Sequence, residues 1–426
     1  MADDDASWRA VALLALLGCL PYVFNIFKLI LWLYRRTLRR RHDLIKRYGT
    51  ATSDTPWAMV TGGSDGIGFA FCEELAEAGF NIMIVSRTRK KLEKALNDLQ
   101  QRFDVAVSGI QIDLSTVHED INGENDGSLR ALRSAFRTRD VSIVVNNAGV
   151  SRRLPAHFHT ITNEELKKMI TINCTSVAAI SKLALAHFRL RNHQRQRSEE
   201  AEESSERRRK GALVIISSVT AEVEAPEMSG YAATKAFDLQ LARSLSLEYE
   251  RHGVDVLAVT PAYVKTKLSG ASRLGGFPPV VSARDCARGA LDSLGYETVT
   301  QGHWLHDIQK ALVSIVPNPL LKGEILDEMH RFRERKRTFL SSSPCSGTRR
   351  AESIAATSIE RKIPHTARGD KQDHSFIVTA DDMKANSDDA DCIDYLDRTA
   401  KHHVLSGDED ELDDGQVDSK LLSSVA

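Results

Sequence analysis

Apolar and polar positions follow a regular succession along the middle of this chain. Runs that are apolar almost throughout recur at residues 58–61, 82–85, 105–112, 141–145, 212–216 and 254–260. The stretches between them carry apolar residues at helical spacing, which predicts helices at residues 69–79, 90–101, 129–137, 164–190, 229–251 and 283–294. Strands that are apolar on both faces and alternate with helices are typical of a parallel sheet covered on both sides. The pattern therefore predicts an α/β fold with a doubly wound parallel sheet.

The N-terminal residues 11–34 form a longer apolar stretch. As a helix these 24 residues would reach about 36 Å, enough to cross a hydrocarbon core of about 30 Å. Asn25 and Lys28 share one face of it, so a helix that lies in the membrane interface is the alternative. The acidic start argues against a cleaved signal peptide. Arginines follow directly at positions 35, 36, 39, 40 and 41. By the positive-inside rule they and the domain behind them face the cytosol.

Composition divides the chain into three parts. Residues 1–50 are a membrane anchor with a basic juxtamembrane segment, and residues 55–338 are the folded domain that carries the chemistry. Residues 193–210 are a charged insertion within it, either a solvated helix extension or a loose loop. Residues 341–426 are rich in Ser, Asp and Arg with few aromatic residues, which predicts a disordered tail.

Charge and cysteine content narrow the functional classes. The chain carries 57 basic and 58 acidic residues, which gives no overall attraction to nucleic acid. Its six cysteines show neither paired nor metal-type spacing. This predicts a reducing compartment around the domain and no metal site.

A glycine-rich turn joins the first predicted strand to the first helix. Glycines let a backbone approach a pyrophosphate closely, and a helix N-terminus offers unpaired N–H groups and a positive dipole end. Such a turn predicts dinucleotide binding on a Rossmann-type fold, although a glycine-rich turn alone is weak evidence. Its candidate cofactor contacts are Gly62, Ser64, Asp65, Gly66, Ile67 and Gly68.

The end of the second strand indicates which dinucleotide is bound. NAD-selective folds place an acidic residue about 20 residues after the glycine turn, where it holds the ribose 2′-hydroxyl. Here residues 86–91 contain four cations and no acid. This favours NADPH/NADP+, with Arg87 as the candidate for the 2′-phosphate. The alternative is a basic, solvated first turn of the next helix.

Tyr231 and Lys235 stand four positions apart on a predicted helix and therefore share one face. A lysine ammonium stabilises a nearby phenolate, which is the equipment for moving a proton to or from an oxygen atom. A solvated helix face is the alternative for this pair taken alone.

These motifs occur together, in order, with several others. The set comprises the glycine turn, Asn146-Asn147-Ala148-Gly149, Asn173, Ser217-Ser218, Tyr231-x-x-x-Lys235 and Pro261-x-x-Val264-x-Thr266. In order and spacing it resembles the short-chain dehydrogenase/reductases over roughly residues 57–305. Within that family it is most similar to the membrane-bound very-long-chain 3-oxoacyl-CoA reductases and their 17β-hydroxysteroid dehydrogenase relatives.

The resemblance implies a role for each matched residue. It makes Tyr231 the proton donor, Ser218 the partner of the substrate carbonyl (Ser217 is the alternative) and Lys235 the partner of Tyr231 and the nicotinamide ribose. It implies that Asn173 holds a water that supplies protons to Lys235. The implied cofactor contacts are Asp113 beside the adenine, Asn147 and Gly149 on the adenosine side, and Val264 and Thr266 at the nicotinamide.

The resemblance also implies a class of substrate, partner proteins and a cellular location. We expect a lipid ketone, either 3-oxoacyl-CoA or a steroid, and residence in the endoplasmic reticulum membrane. A homodimer and partners from an elongation complex stay open. An apolar stripe of Trp304, Ile308, Leu312, Ile315 and Val316 either packs on the sheet or forms a membrane-apposed lid. A catalytically silent scaffold that binds the cofactor is the competing hypothesis of another class.

Overall fold

The structure is a computed structural model of the chain. It describes residues 18–49 (without 21, 28, 36, 40 and 41), 55–119, 128–152, 154–199, 210–266, 280–315 and 375–378, and single residues at 323, 327, 331, 333 and 334. The chain divides into two units, Met1–Ala380 and Asp381–Ala426, and every described residue belongs to the first.

The centre of the fold is one parallel sheet, which confirms the predicted class. Its strands are β1 (Trp57–Thr61), β2 (Asn81–Ser86), β3 (Val107–Gln111), β4 (Val141–Asn146), β5 (Gly211–Ile216), β6 (Val254–Val259), β7 (Val299–Thr300) and β8 (Ser375–Val378). They lie in the order β7-β6-β5-β4-β1-β2-β3-β8. From the boundary between β1 and β4 the strand order runs outward in both directions, so this boundary is the topological switch point of the sheet. Ligands of open α/β sheets bind at such a point.

Helices cover both faces of the sheet. They are α1 (Leu44–Tyr48), α2 (Gly66–Glu77), α3 (Arg89–Arg102), α4 (Ser128–Thr138), α5 (Asn163–Ile170), α6 (Ser176–Glu199), α7 (Ser229–Tyr249), α8 (Ala283–Ser293) and α9 (Trp304–Ile315). Helix α2 begins three residues earlier than predicted, because the Asp65 carboxylate accepts a hydrogen bond from the Gly66 N–H and caps the helix there. The end of the glycine turn is therefore the first turn of α2.

The predicted long helix at 164–190 is interrupted. Helix α5 passes into a π-helical turn, Thr171–Thr175, before α6 begins. Such turns are frequent at functional sites, and this one carries Asn173. Helix α6 continues to Glu199, into the charged insertion, while residues 200–209 lie outside the described residues.

The N-terminal helix comprises residues 18–20, 22–27 and 29–35. Its exposed large apolar side chains are Leu20, Tyr22, Val23, Phe24, Ile26, Phe27, Leu29, Ile30, Leu33 and Tyr34. By length and hydropathy, one described helix qualifies as a membrane span, Asn163–Asn192, and 56% of its apolar window is buried in the fold. That helix is the core element formed by α5 and α6.

The basic segment that follows the N-terminal helix is attached tightly to the domain. Tyr48 is fully buried in the core, and its hydroxyl donates to Asp255 across 2.8 Å. The Arg47 guanidinium pairs with the same carboxylate at 2.7 Å. Residues 44–48 are therefore part of the fold, although the sequence analysis placed them in the N-terminal anchor and its basic segment. The sequence analysis missed them because one tyrosine in a basic run gives too little apolar signal.

The tail contributes a strand to the sheet. Ser375–Val378 pairs in parallel with β3, with Val107 opposite Ser375 and Ile110 opposite Val378. These four residues lie within the tail that composition predicts to be disordered. The rest of that tail lies outside the described residues.

Candidate active site

Three strand ends meet at the switch point of the sheet. The glycine turn follows β1, residues 147–149 follow its neighbour β4, and the two serines follow β5. Because parallel strands end at the same edge of the sheet, these separate segments become neighbours.

The glycine turn has no side chains at the positions where its main chain bends and packs most tightly. Gly62 and Gly66 adopt left-handed φ angles of 65° and 60°, which favour glycine. A Cβ atom added to Gly68 would collide with the Asn147 amide and lie 2.5 Å from the Gly62 carbonyl oxygen. The Gly68 main chain therefore packs directly on the Gly62 carbonyl and the Asn147 amide. This holds the turn tightly against the start of α2, where the helix N-terminus suits a pyrophosphate.

Asn147 supports this turn from β4. Its side-chain amide donates to the carbonyl oxygens of Thr61 and Gly62 at 3.0 and 3.3 Å. Its backbone N–H donates to the Thr61 hydroxyl at 3.0 Å. Asn147 thus fixes the shape of the turn, while the resemblance had implied a place beside the adenosine.

Polar groups surround the end of β2. The Ser64 and Ser86 hydroxyls are 2.8 Å apart, and the Lys91 ammonium lies 3.6 Å from Asp65. Arg87 is 57% exposed and stands 3.9 Å from Asp113. Burial raises the pKa of Asp113, but hydrogen bonds from Ser115 and the charge of Arg87 outweigh it and lower the pKa overall. Asp113 is therefore an anion that faces Arg87 from the end of β3.

Lys235 lies in the interior of the site. Its ammonium donates to the Ile216 carbonyl oxygen and to an Asp238 carboxylate oxygen, both at 2.8 Å. A Cβ on Gly149 would lie 3.4 Å from both the Lys235 Nζ and the Asn173 Oδ1. Gly149, Asn173 and Lys235 are therefore in one place; the resemblance had related Asn173 to Lys235 and had assigned Gly149 to the adenosine side.

The Asn173 side chain is fully engaged. Its Nδ2 donates to the Val150 carbonyl and the Thr234 hydroxyl, both at 2.9 Å, and its Oδ1 accepts from the Val150 N–H at 2.8 Å. The amide thus ties the π turn to the segment after β4 and to α7. A water near Asn173 would have to bind to main-chain atoms of the π turn.

The two serines differ in what they contact. The Ser217 hydroxyl donates to the Lys235 carbonyl oxygen at 2.6 Å. The Ser218 oxygen accepts from the Thr220 N–H at 3.2 Å, a bond that does not use its hydroxyl hydrogen. Ser218 can therefore donate to a substrate oxygen, whereas Ser217 is committed to the backbone of α7.

Tyr231 stands in the first turn of α7 and is half-buried. Its carbonyl oxygen accepts from the Thr234 hydroxyl at 2.8 Å, which links it to Asn173. Burial lowers the pKa of Lys235, but Asp238 and then Tyr231 raise it, and the net direction is upward. The tyrosine therefore has an ammonium one helical turn away at neutral pH.

Comparison with known proteins identifies this arrangement. The sequence family described as short chain dehydrogenase matches residues 56–275, more than half of the chain. The chain belongs to this family. It is accordingly an oxidoreductase that uses a nicotinamide dinucleotide.

Relatives of this short-chain dehydrogenase carry two kinds of name. A very-long-chain 3-oxoacyl-CoA reductase of Rattus norvegicus is 32% identical over 263 residues, 61% of this chain and 75% of its own. A human protein named inactive hydroxysteroid dehydrogenase-like protein 1 is 30% identical over 299 residues, 69% and 81% of the two chains. A solved 7β-hydroxysteroid dehydrogenase has a TM-score of 0.52 at 22% identity over 68% of this chain and all of its own, which supports the fold.

The remaining motif of the short-chain dehydrogenase lies over the glycine turn. Val264 is buried and bridges to Val281. The Thr266 methyl group lies 3.3 Å from where a Cβ on Gly66 would be. Buried His306 contacts the Gln301 and Tyr263 carbonyl oxygens at 3.2 and 3.3 Å, so α9 holds this loop in place.

The predicted apolar stripe on α9 is partly exposed. Trp304 and Ile308 are 45% and 39% exposed. Lys310 pairs with Glu222, which follows Ser218 in the chain, at 2.6 Å. The side chains of Leu312 and Ile315 and all of Val316 lie outside the described residues. Packing of the whole stripe on the sheet, one of the two expectations, is therefore wrong for Trp304 and Ile308.

Sequence reasoning missed Asp238. It is completely buried and bonded to Lys235 three positions earlier on the same helix. The signal was present, because an acid three residues after a functional lysine shares its helix face. Within the described residues, no cluster of His, Cys, Asp or Glu is placed to hold a metal ion.

Proposed function

We propose that this protein is a membrane-anchored, NADPH-dependent reductase of a lipid ketone. The preferred substrate is a 3-oxoacyl-CoA, reduced to the 3-hydroxyacyl-CoA at the endoplasmic reticulum membrane with the active site facing the cytosol. One observation carries the proposal: Lys235 and Asn173 meet beside Gly149, and Ser217 is bonded to the main chain of Lys235. Tyr231 lies on the same helix face as Lys235.

The residues present fit NADPH. The turn at residues 62–68 would hold the pyrophosphate, Arg87 the 2′-phosphate, Thr266 the carboxamide and Lys235 the nicotinamide ribose. Support for NADPH over NADH is the absence of an acid at the end of β2 together with the exposure of Arg87. When bound, the cofactor supplies the hydride, and the protein supplies orientation and charge.

The chain's own residues manage the proton. As the carbonyl carbon gains a hydride, its oxygen becomes negative, and Ser218 donates a hydrogen bond to it. Tyr231 gives its proton to that oxygen, and the Lys235 ammonium stabilises the phenolate left behind. The engaged Asn173 amide fixes the π turn, whose main chain would hold the water that returns a proton to Tyr231 through Lys235.

The surroundings favour an oily substrate. The N-terminal helix exposes a large apolar surface, and its Trp32 indole N–H donates to Asp307 on α9 at 3.0 Å. The exposed Trp304 and Ile308 therefore lie on the helix that the anchor contacts. A ketone with a long acyl chain partitions into the bilayer and would reach the site from this side.

The names of the relatives support two alternative functions. A relative named as hydroxysteroid dehydrogenase-like favours a steroid or retinoid ketone as the second candidate. The word inactive in the same name favours a silent, cofactor-binding scaffold. Because both are similar to this chain at about the same identity, the substrate has to be decided by assay.

NADPH oxidation by the detergent-solubilised full-length protein separates the three. Turnover with a long-chain 3-oxoacyl-CoA well above that with a 17-ketosteroid supports the proposal, and the reverse order supports the steroid candidate. NADPH binding without turnover on either supports the scaffold. The matched control is Tyr231→Phe, which should bind NADPH and lose turnover; activity near wild type in this variant contradicts the assignment of the proton donor.

A further inference from the structure

A buried carboxylate lies beneath the lysine of the site. Asp238 has no exposed surface, and one of its oxygens is 2.8 Å from the Lys235 Nζ. Its other oxygen is buried without a hydrogen-bond partner among the described residues. A half-satisfied buried carboxylate is costly, and a buried ion pair is weak evidence for stability. The position is therefore poorly explained by packing alone.

The carboxylate is placed to act on the charge that Tyr231 experiences. The inner face of α7 carries Tyr231, Lys235 and Asp238. Along the chain, the lysine stands between the tyrosine and the aspartate. Among the residues that the structure describes, the other titratable group next to the pair is the Cys174 thiol of the π turn, whose Sγ is 3.8 Å from the Thr234 carbonyl oxygen. Burial raises the pKa of that thiol to about 11, so it is neutral at working pH. Strand β5 contributes the uncharged Ile216 carbonyl.

We infer that Asp238 is a positioning residue that offsets part of the Lys235 charge and thereby biases Tyr231 toward its protonated, proton-donating form, which extends ketone reduction to higher pH. The inference rests on the proposed function for the identity of the proton donor. An ammonium without a counterion favours the phenolate, which is the form that takes a proton from an alcohol during oxidation. A carboxylate bonded to the ammonium weakens that pull.

The effect of Asp238 on Tyr231 depends on pH, because only the ionised carboxylate offsets the Lys235 charge. Burial raises the pKa of Asp238 to about 6, against the lowering effect of Lys235. The carboxylate is therefore charged above about pH 6, where the bias is present. It is neutralised below that pH, where Lys235 loses its counterion.

The variants that test this are Asp238→Asn, which removes the charge at nearly constant shape, and Asp238→Glu, which keeps it. Asp255→Asn is the matched control, because it removes another largely buried carboxylate that contacts a lysine, Lys210 at 3.0 Å, outside the site. Phenolate formation is followed by ultraviolet difference absorption over pH, with Tyr231→Phe subtracted in each background. This readout needs neither substrate nor turnover.

We expect the phenolate to appear about one pH unit lower in Asp238→Asn, because a nearby charge shifts such equilibria by roughly 1–3 units. The alkaline limit of ketone reduction should move by the same amount. The acid-side midpoint of alcohol oxidation should fall by a similar amount, with KM for the ketone at neutral pH unchanged. Asp238→Glu should restore the wild-type profile, and Asp255→Asn should leave it unaltered.

An unchanged phenolate midpoint in folded Asp238→Asn overturns the inference, and so does an equal shift in Asp255→Asn. If the asparagine variant does not fold, Asp238→Ser is used in its place, because it removes the charge while leaving space for water. An unchanged phenolate midpoint in folded Asp238→Ser then overturns the inference. A protein that shows the spectroscopic shift but reduces no ketone contradicts the proposed function and still establishes the charge coupling.

Discussion

The hydroxyl of Ser217 lies 2.6 Å from the carbonyl oxygen of Lys235 and donates a hydrogen bond to it. This bond joins the end of β5 to the middle of α7 below the site. It fixes the next residue, Ser218, relative to the helix that carries Tyr231 and Lys235. The two adjacent serines therefore differ: Ser217 is committed to the main chain of α7, whereas the Ser218 hydroxyl hydrogen is not used in its bond with the Thr220 N–H.

Ser218→Ala and Ser217→Ala should fail in different ways. Loss of the Ser218 donor should lower kcat by about 100-fold without unfolding the protein, because it removes a hydrogen bond to the developing negative charge. Ser217→Ala should cost about 1 kcal/mol of unfolding free energy and much less in rate. Steady-state kinetics and urea unfolding on both variants check this. A greater rate loss in Ser217→Ala would exchange the two roles.

Arg87→Asp should reverse or flatten the preference for NADPH over NADH. The carboxylate repels a 2′-phosphate and accepts a ribose hydroxyl, and a charged hydrogen bond is worth roughly 1.5–3 kcal/mol, or about 10- to 150-fold in affinity. The measurement is the ratio of the two dissociation constants by fluorescence titration. Arg89→Asp is the control, since Arg89 pairs with Glu93 on its own helix at 2.9 Å. If both variants keep the wild-type ratio, Arg87 has no part in cofactor choice.

Gly68→Ala should weaken cofactor binding by about 5- to 150-fold, the equivalent of roughly 1–3 kcal/mol. The added methyl group would collide with the Gly62 carbonyl and the Asn147 amide, so the glycine turn would have to move. Overpacking of this kind costs roughly 1–3 kcal/mol. Gly323→Ala is the control, because nothing lies within 4 Å of the added atom. Calorimetric titration with NADPH compares the two, and tight binding by Gly68→Ala would contradict the placement of the pyrophosphate.

His187 should make the fold sensitive to mild acid. Burial and then Arg191 lower the pKa of His187 from its ordinary 6.5 to about 4, and a ring nitrogen lies 3.0 Å from the Val141 carbonyl oxygen. The neutral ring is therefore favoured in the fold. Its stabilisation is complete above pH 6.5 and is lost as the pH falls toward 4, by roughly 1–3 kcal/mol.

His187→Gln keeps an N–H donor but cannot gain a proton in this range. The variant should lose less unfolding free energy between pH 7 and pH 5 than the wild type, as measured by urea unfolding at both values. Equal losses in the two proteins would assign the acid sensitivity to other groups.

The sequence predicted the sheet and the place of the turn because their signals are local. An apolar run of strand length identifies each buried strand, and a glycine-rich turn between strand and helix marks the switch point. The proximity of the segments that follow β1, β4 and β5 also follows from the common edge at which parallel strands end. These features depend on residues close to each other in the chain or on the parallel geometry of one sheet.

The features that escaped prediction depend on long-range contacts. Asp238 appears in sequence as a polar position on a helix, and its burial is set by packing against the sheet. The π turn at Asn173 forms because its amide finds Val150 and Thr234, which lie 23 and 61 positions away. Strand β8 has only three consecutive apolar residues, 376–378, in a polar region, and it pairs because the edge of β3 offers main-chain groups.

The attachment of Tyr48 sets a limit on how the protein can be shortened. A truncation at residue 50, the boundary that composition alone would choose, removes a fully buried aromatic side chain and leaves Asp255 without its Tyr48 and Arg47 partners. A shortened version must therefore begin before Asp43, whose side chain caps α1. The short helix Leu44–Tyr48 belongs to the folded domain, although it follows the apolar N-terminal helix in the chain.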